Sequence, residues 1–266
     1  MTCDFHIQSS ISGDSDTPMQ DMIESAISHG LKTICFTEHY DEDYPEGEDD
    51  FSLDTSAYLQ TLCILKEQYC SEINIRFGVE LGMQPHLGKL YTDYVHSFPF
   101  DFVIASQHVL DHADQYYPAF WSGKHPVDVI CRYFEEILHS LKNMCEYDTL
   151  AHLDYIVRYA GSDYMSYHYQ DFRDVIDPIL TYLIHNGKCL EINTAGYKYG
   201  LGHPNPCEEV LSRYRELGGE LITIGSDAHK PEHLAYDFQR LPELLTNLGF
   251  RYYCTFSNRK PEFIKL

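Results

Sequence analysis

Mostly apolar, β-branched runs alternate with helical patterns along the whole chain, and this alternation constrains the fold more than any other feature. The runs cover residues 3–7, 33–37, 73–79, 102–106, 149–151, 189–192 and 221–225, with 252–256 as a late extra. Short apolar runs separated by helices are the mark of parallel strands, so the pattern predicts a parallel α/β fold. A chain of 266 residues with 44% hydrophobic residues can build one sizeable core. No Pro- or Ser-rich linker, internal repeat or shift in composition divides it, so residues 1–266 are expected to form a single domain.

The segments between the runs carry helix signals. Thr17, Pro18 and Gln20 read as the N-cap, first-turn proline and capping-box glutamine of a helix that stops near Gly30. Ile130, Tyr133, Phe134, Ile137, Leu138, Leu141 and Met144 recur at helical spacing, which leaves His139 on a polar face. Residues 171–186 are also helical in pattern, with His185 in the last turn and Pro178 predicting a kink or two shorter helices. Two connections are long. Residues 41–54 hold eight carboxylates and no base, and 109–127 are rich in aromatics; loops of that length tend to carry function.

Charge and cysteine usage narrow the partners. Nineteen Lys and Arg face 41 Asp and Glu, a net charge of -22, which opposes binding to nucleic acid and to anionic membranes. A small phosphorylated substrate is not excluded, because salt screens this field beyond roughly 8–10 Å. The first residues have no signal-peptide pattern, and no window approaches the roughly 18 apolar residues of a membrane span, so a cytoplasmic protein is expected. The nine cysteines lack CxxC pairing, and Cys35, Cys189 and Cys254 fall in strand-like runs, as reduced core thiols would. Nothing in the pattern fixes an oligomeric state.

What terminates each run points to chemistry. The first carries His6 with Gln8 two residues on, and the second ends in Glu38 and His39. Then come Glu80, His108, His152, Asn193, and Asp227 with His229. In a parallel barrel these ends converge on one face, and imidazole with carboxylate is the donor set of zinc, iron and manganese. One such histidine alone would be an ordinary polar residue, as most of His86, His96, His112, His125, His168, His203 and His233 are expected to be. A whole ring of them predicts a metal site, since uncapped charges at one buried mouth would otherwise be unpaired.

The pieces DFHIQSSISGD, FTEHYDEDYP, FGVELG, ASQH, AHLDYIVRY, EINTAGYKYGLGHPNP and IGSDAHKPE, in this order, resemble the polymerase and histidinol phosphatase (PHP) superfamily, and within it the histidinol-phosphate phosphatase branch. The resemblance implies a distorted seven-stranded (β/α) barrel with three divalent metal ions, zinc, iron or manganese. It implies that His6, Gln8, Glu80 and Asp227 hold one ion, that Glu80 bridges to a second with His108 and His152, and that Asp14, His39 and His229 hold a third. Gln8 departs from the usual H-x-H motif, which leaves open whether it binds directly or through water, and Asp16 competes with Asp14 for its role. Three such ions against Asp14, Glu80 and Asp227 would leave a local charge of about +3, suited to a phosphate monoester.

The implied reaction is hydrolysis of L-histidinol phosphate, a step of histidine biosynthesis, by a metal-bridging hydroxide. Arg158 and Lys198, the latter standing where arginine is more usual, would grip the phosphate. Asp227 or His229 would protonate the leaving group. The acidic loop 41–54 and Tyr116, Tyr117, Phe120 or Trp121 are candidates to meet the ammonium and ring of the substrate. The rival readings are a PHP phosphodiesterase or nucleotide phosphatase, and a catalytically silent metal-binding module. The amidohydrolase barrel also opens with H-x-H but commonly needs a bridging lysine where this chain has His108.

Overall fold

The computed structural model describes residues 1–45 and 51–266. In chain order the first half contains β1 (Cys3–Ile7), α1 (Met19–Ser28), β2 (Thr33–Tyr40), α2 (Thr55–Gln68), β3 (Asn74–Gly82), α3 (Gly88–Ser97), β4 (Phe102–Ser106), β5 (Val109–Leu110), β6 (Ala113–Asp114) and α4 (Pro126–Asn143). The second half contains β7 (Thr149–Leu150), α5 (Arg173–His185), β8 (Cys189–Asn193), α6 (Ala195–Lys198), α7 (Glu208–Glu216), β9 (Ile222–Gly225), α8 (Leu241–Asn247), β10 (Tyr252–Ser257) and β11 (Lys260–Lys265).

Seven strands pair in the order β1-β2-β3-β4-β7-β8-β9, all of them parallel. The amide of Gln8 donates to the Ala228 carbonyl at 2.9 Å, which brings β1 against the segment after β9 and nearly closes the sheet. The distorted seven-stranded barrel expected from the sequence is therefore the fold. Every residue of β1, β4, β8 and β9 is buried, because side chains fill the interior and helices cover the outside. The late run at 252–256 lies outside this sheet, in an antiparallel hairpin of β10 with the mostly exposed β11.

Two local expectations need correction. Thr17 is not a helix cap: Pro18 holds that position, while the Thr17 hydroxyl donates to the His229 carbonyl at 3.0 Å. Gln20 makes no capping box either, donating instead to Glu24 one turn on. Pro178 does not split the helical segment, since α5 runs through it, and the carbonyl that lacks a donor belongs to exposed Asp174 in the first turn. α4 follows its predicted stripe, with His139 exposed. Among the described residues no helix is long and apolar enough to cross a membrane.

A buried carboxylate reinforces the backbone bonding that closes the barrel. Asp4 on β1 accepts from the Ser226 amide (3.0 Å), the Ser226 hydroxyl (2.5 Å) and the Ala235 amide (3.0 Å). Burial pushes its carboxyl up to about 6 against the pull of these bonds. Asp4→Ala would leave those donors unpaired, so equilibrium denaturation should show about 3 kcal/mol or more of lost stability. An unchanged denaturation midpoint would contradict the role given to Asp4 in closure.

Candidate metal centre

Glu80, near the C-terminal end of β3, is fully buried, and four imidazoles surround its carboxylate. One oxygen lies 2.8 Å from His6 Nε2 and 3.6 Å from His39 Nε2. The other lies 3.1 Å from His152 Nε2 and 3.2 Å from His108 Nε2, and accepts from Ser106 Oγ at 2.6 Å. The strands set this arrangement. His39 on β2 is the register partner of Glu80. His6 sits where the β1–β2 register slips by one residue, a bulge of the kind that re-aims a side chain. His108 and His152 follow the ends of β4 and β7.

Other groups hold these rings from behind. His6 Nδ1 lies 2.6 Å from Glu191 on β8, whose second oxygen accepts from the His152 amide at 3.0 Å. His108 Nδ1 lies 2.6 Å from Asp41. Towards solvent, His229 Nε2 lies 2.8 Å from Asp14, and Asp227 Oδ1 is 3.7 Å from both His6 Nε2 and His229 Nδ1. The backbone is strained here: His152 and Asp227 have φ of 22° and 52°, a region that non-glycine residues rarely adopt. At Gly225 a Cβ would come within 2.3 Å of His6 Cβ, so only glycine leaves room for the ring.

Three groups of potential ligand atoms lie within 4.8 Å of one another: His6, His152 and Asp227; Asp14, His39 and His229; and His39, Glu80 and His108. Gln8 Nε2 donates to Glu80 at 2.8 Å, while its Oε1 is buried without a hydrogen-bond partner, as is His152 Nδ1. Four imidazole nitrogens facing one carboxylate cannot all present lone pairs to it; each needs a proton or shares a cation. This mixed nitrogen and oxygen set fits divalent zinc, iron or manganese.

The ionisation of these groups agrees. Burial would lower His39, but Glu80, Asp14 and Asp41 push it up to about 9. Burial likewise opposes the charge on His6, and Glu191, Glu80 and Asp227 raise it well above the usual range. Burial would raise Glu80, yet the charges of His6 and His39 hold it well below the usual carboxylate range. Asp227 is held low in the same way by His6 and His229.

The centre forms the floor of a cleft of about 540 Å³. Tyr44, Tyr116, Tyr117, Tyr155, Tyr159 and Tyr199 wall it, with Arg158, Lys230, His233 and Asp114 also lining it. Arg158 lies over the Tyr199 ring at 3.1 Å from its centroid. Lys198 is not among the described lining residues; its ammonium donates to the Asp227 carbonyl at 3.1 Å. Phe120 is buried in the core and the Trp121 indole donates to the Gln115 carbonyl, so neither lines the cleft.

The acidic loop divides into separate structural duties. Asp41 is buried behind His108, Asp43 lies 3.0 Å from His86, and Asp54 caps α2. Glu46, Glu48, Asp49 and Asp50 lie outside the described residues. Glu38 and Asn193 close run ends without facing the centre. Glu38 accepts from Ser9 and Ser12, and Asn193 Nδ2 donates to Glu191. Sequence reading had Asp41 only as part of the acidic loop and missed Glu191, Asp114, Lys230, Tyr155, Tyr159 and Tyr199; of these Glu191, a lone acid inside an apolar run, left a signal.

The PHP domain model matches residues 4–195. The histidinol-phosphatase of Lactococcus lactis is 32% identical over 97% of this chain and 95% of its own length. A probable histidinol-phosphatase of Thermotoga maritima is 31% identical over 94% of this chain and 93% of its own. A crystal structure of histidinol phosphate phosphatase from Lactococcus lactis, complexed with zinc, L-histidinol and phosphate, superposes with a TM-score of 0.91 at 31% identity, covering 98% of both chains.

Because His39 holds its proton up to about pH 9, ions entering the centre must displace protons, and affinity should rise as pH rises towards about 9. Calorimetric titration of metal-stripped protein with zinc at pH 8, in two buffers of different ionisation enthalpy, should register proton release. Heats independent of the buffer would contradict the charge states assigned to these histidines.

Proposed function

The chain belongs to the PHP domain family, and on that premise we propose that it is a metal-dependent phosphomonoesterase that hydrolyses L-histidinol phosphate to L-histidinol and phosphate. The observation that carries this reading is one cleft with a floor of imidazoles and carboxylates and a wall of tyrosines holding a guanidinium. In the proposal the floor takes three divalent ions: His6, Gln8, Glu80 and Asp227 hold one, Glu80, His108 and His152 a second, and Asp14, His39 and His229 a third. When bound, such ions supply Lewis-acid polarisation of phosphoryl oxygens and a nucleophile from water near neutral pH.

The protein's own side chains do the rest. Arg158, fixed between the Tyr199 and Tyr159 rings, offers a permanently charged fork to the phosphoryl oxygens. Lys198, expected to grip the phosphate, holds the Asp227 backbone and adds its positive charge from behind the residues that line the cleft. The oxygen of water forms the new P–O bond as the ester P–O bond breaks, one proton of that water stays with the phosphate product and the other reaches the departing alkoxide at the segment carrying Asp227 and His229. Asp114, fixed by the Tyr44 hydroxyl at 2.5 Å and the Tyr116 amide at 2.7 Å, faces the substrate ammonium, beside the acidic loop that supplies Asp41 and Tyr44 to the same cleft. The tyrosine faces cover the imidazole of the substrate. A cytoplasmic location belongs to the same proposal and is supported by nine free cysteines.

Phosphate release from histidinol phosphate and from an aryl phosphate tests this reading. Chelation should abolish both activities, and added zinc or manganese should restore them. Arg158→Ala should lower kcat/KM about a hundredfold on both substrates, whereas Asp114→Asn should raise KM for histidinol phosphate alone. Activity that survives metal stripping, or Asp114→Asn acting equally on both substrates, would contradict it.

A further inference from the structure

One buried carboxylate serves two rings that the proposed centre assigns to different ions. Asp41, the residue after β2, is 6% exposed. Its Oδ2 lies 2.6 Å from His108 Nδ1, and its Oδ1 lies 3.6 Å from His39 Nδ1. That Oδ1 and that Nδ1 are both buried, and neither has a hydrogen-bond partner, so they face each other as an unmet acceptor and an unmet ring nitrogen. The two rings stand edge to face, with centroids 5.1 Å apart. Beyond them, His108 Nε2 faces Glu80, while His39 Nε2 lies 3.6 Å from both Glu80 and Asp14.

The backbone leaves room for this carboxylate and little else. A Cβ on Gly82, at the end of β3, would lie 2.3 Å from both Cγ and Oδ2 of Asp41, closer than any real contact. Gly82 therefore lets the carboxylate lie against β3, two residues beyond Glu80. This requirement concerns shape alone and is independent of the polar contacts.

We propose that Asp41 is a positioning residue that fixes the tautomer and direction of two imidazoles at once, so that two of the ions are gained or lost together. The inference rests on the proposed metal centre. An Nδ1–H donated to a carboxylate leaves the Nε2 lone pair free for a cation and holds the ring at one angle. Asp41 makes this bond to His108, and its Oδ1 stands 3.6 Å from the unmet His39 Nδ1, near enough to take that ring's proton once the ring turns its Nε2 to a cation, so its loss disturbs the second and third ions. The first takes no ligand from this pair: its His6 is backed by Glu191, which also accepts from the His152 amide.

Zinc-loaded full-length protein, titrated with a chromophoric chelator, gives a readout independent of activity. In Asp41→Asn, the zinc held through His108 and through His39 should weaken together, about 10–100-fold, and the remaining zinc should keep its affinity. Gly82→Ala, which changes no polar group, should give the same pattern. Glu191→Gln, which touches His6 and the His152 amide but not His39, should leave the zinc held through His39 at its parent affinity. Circular dichroism establishes that each variant is folded. Parent affinities in Asp41→Asn, uniform loss of all the zinc, or weakening of one ion alone would overturn the proposal. A parent that binds no zinc would instead overturn the metal centre on which it rests.

Discussion

The structure depends on keeping the Glu80 carboxylate charged in the middle of a protein. An isolated buried carboxylate is prohibitively costly, and the cost is offset only by cations held close with good geometry. The barrel supplies the means. Parallel strands deliver His6, His39, His108 and His152 to one level, and the bulge in β1 turns the first of them inward. Gly225 and Gly82 supply the space that the rings and their supports need. The strained backbone at His152 and Asp227 persists because the surrounding barrel fixes it.

The same requirement explains how a chain of net charge -22 can favour a phosphoester. Asp4, Glu38, Asp41, Glu80, Asp154 and Glu191 are buried, where they accept hydrogen bonds from backbone amides, hydroxyls, amide side chains and imidazoles. These acids build the barrel and aim its histidines. They are a small part of the 41 Asp and Glu, most of which lie outside the interior, and the groups that line the mouth include the cations Arg158 and Lys230.

The strands were legible because parallel, doubly covered strands must be apolar, and their ends were legible because imidazoles and carboxylates interrupt apolar runs. What supports those ends was not. Asp41 reads as the first residue of an acidic loop, since only the fold turns it beneath His108. Asp114 sits in a two-residue strand too short to show a period. Thr17 has the residue type of a cap, but a tertiary bond to the His229 carbonyl takes its hydroxyl. Lys198 lies at the right distance along the chain from Asn193, and sequence spacing could not foresee that the Asp227 carbonyl would take its ammonium.

The central proposal is that Glu80 would hold two ions at once. Anomalous diffraction at the zinc edge from zinc-loaded crystals tests it directly. The account predicts peaks on both sides of the Glu80 carboxylate, each at about 2.0–2.2 Å from one of its oxygens. Zinc peaks that all lie beyond bonding distance of Glu80, or a single zinc peak within that distance, would contradict it.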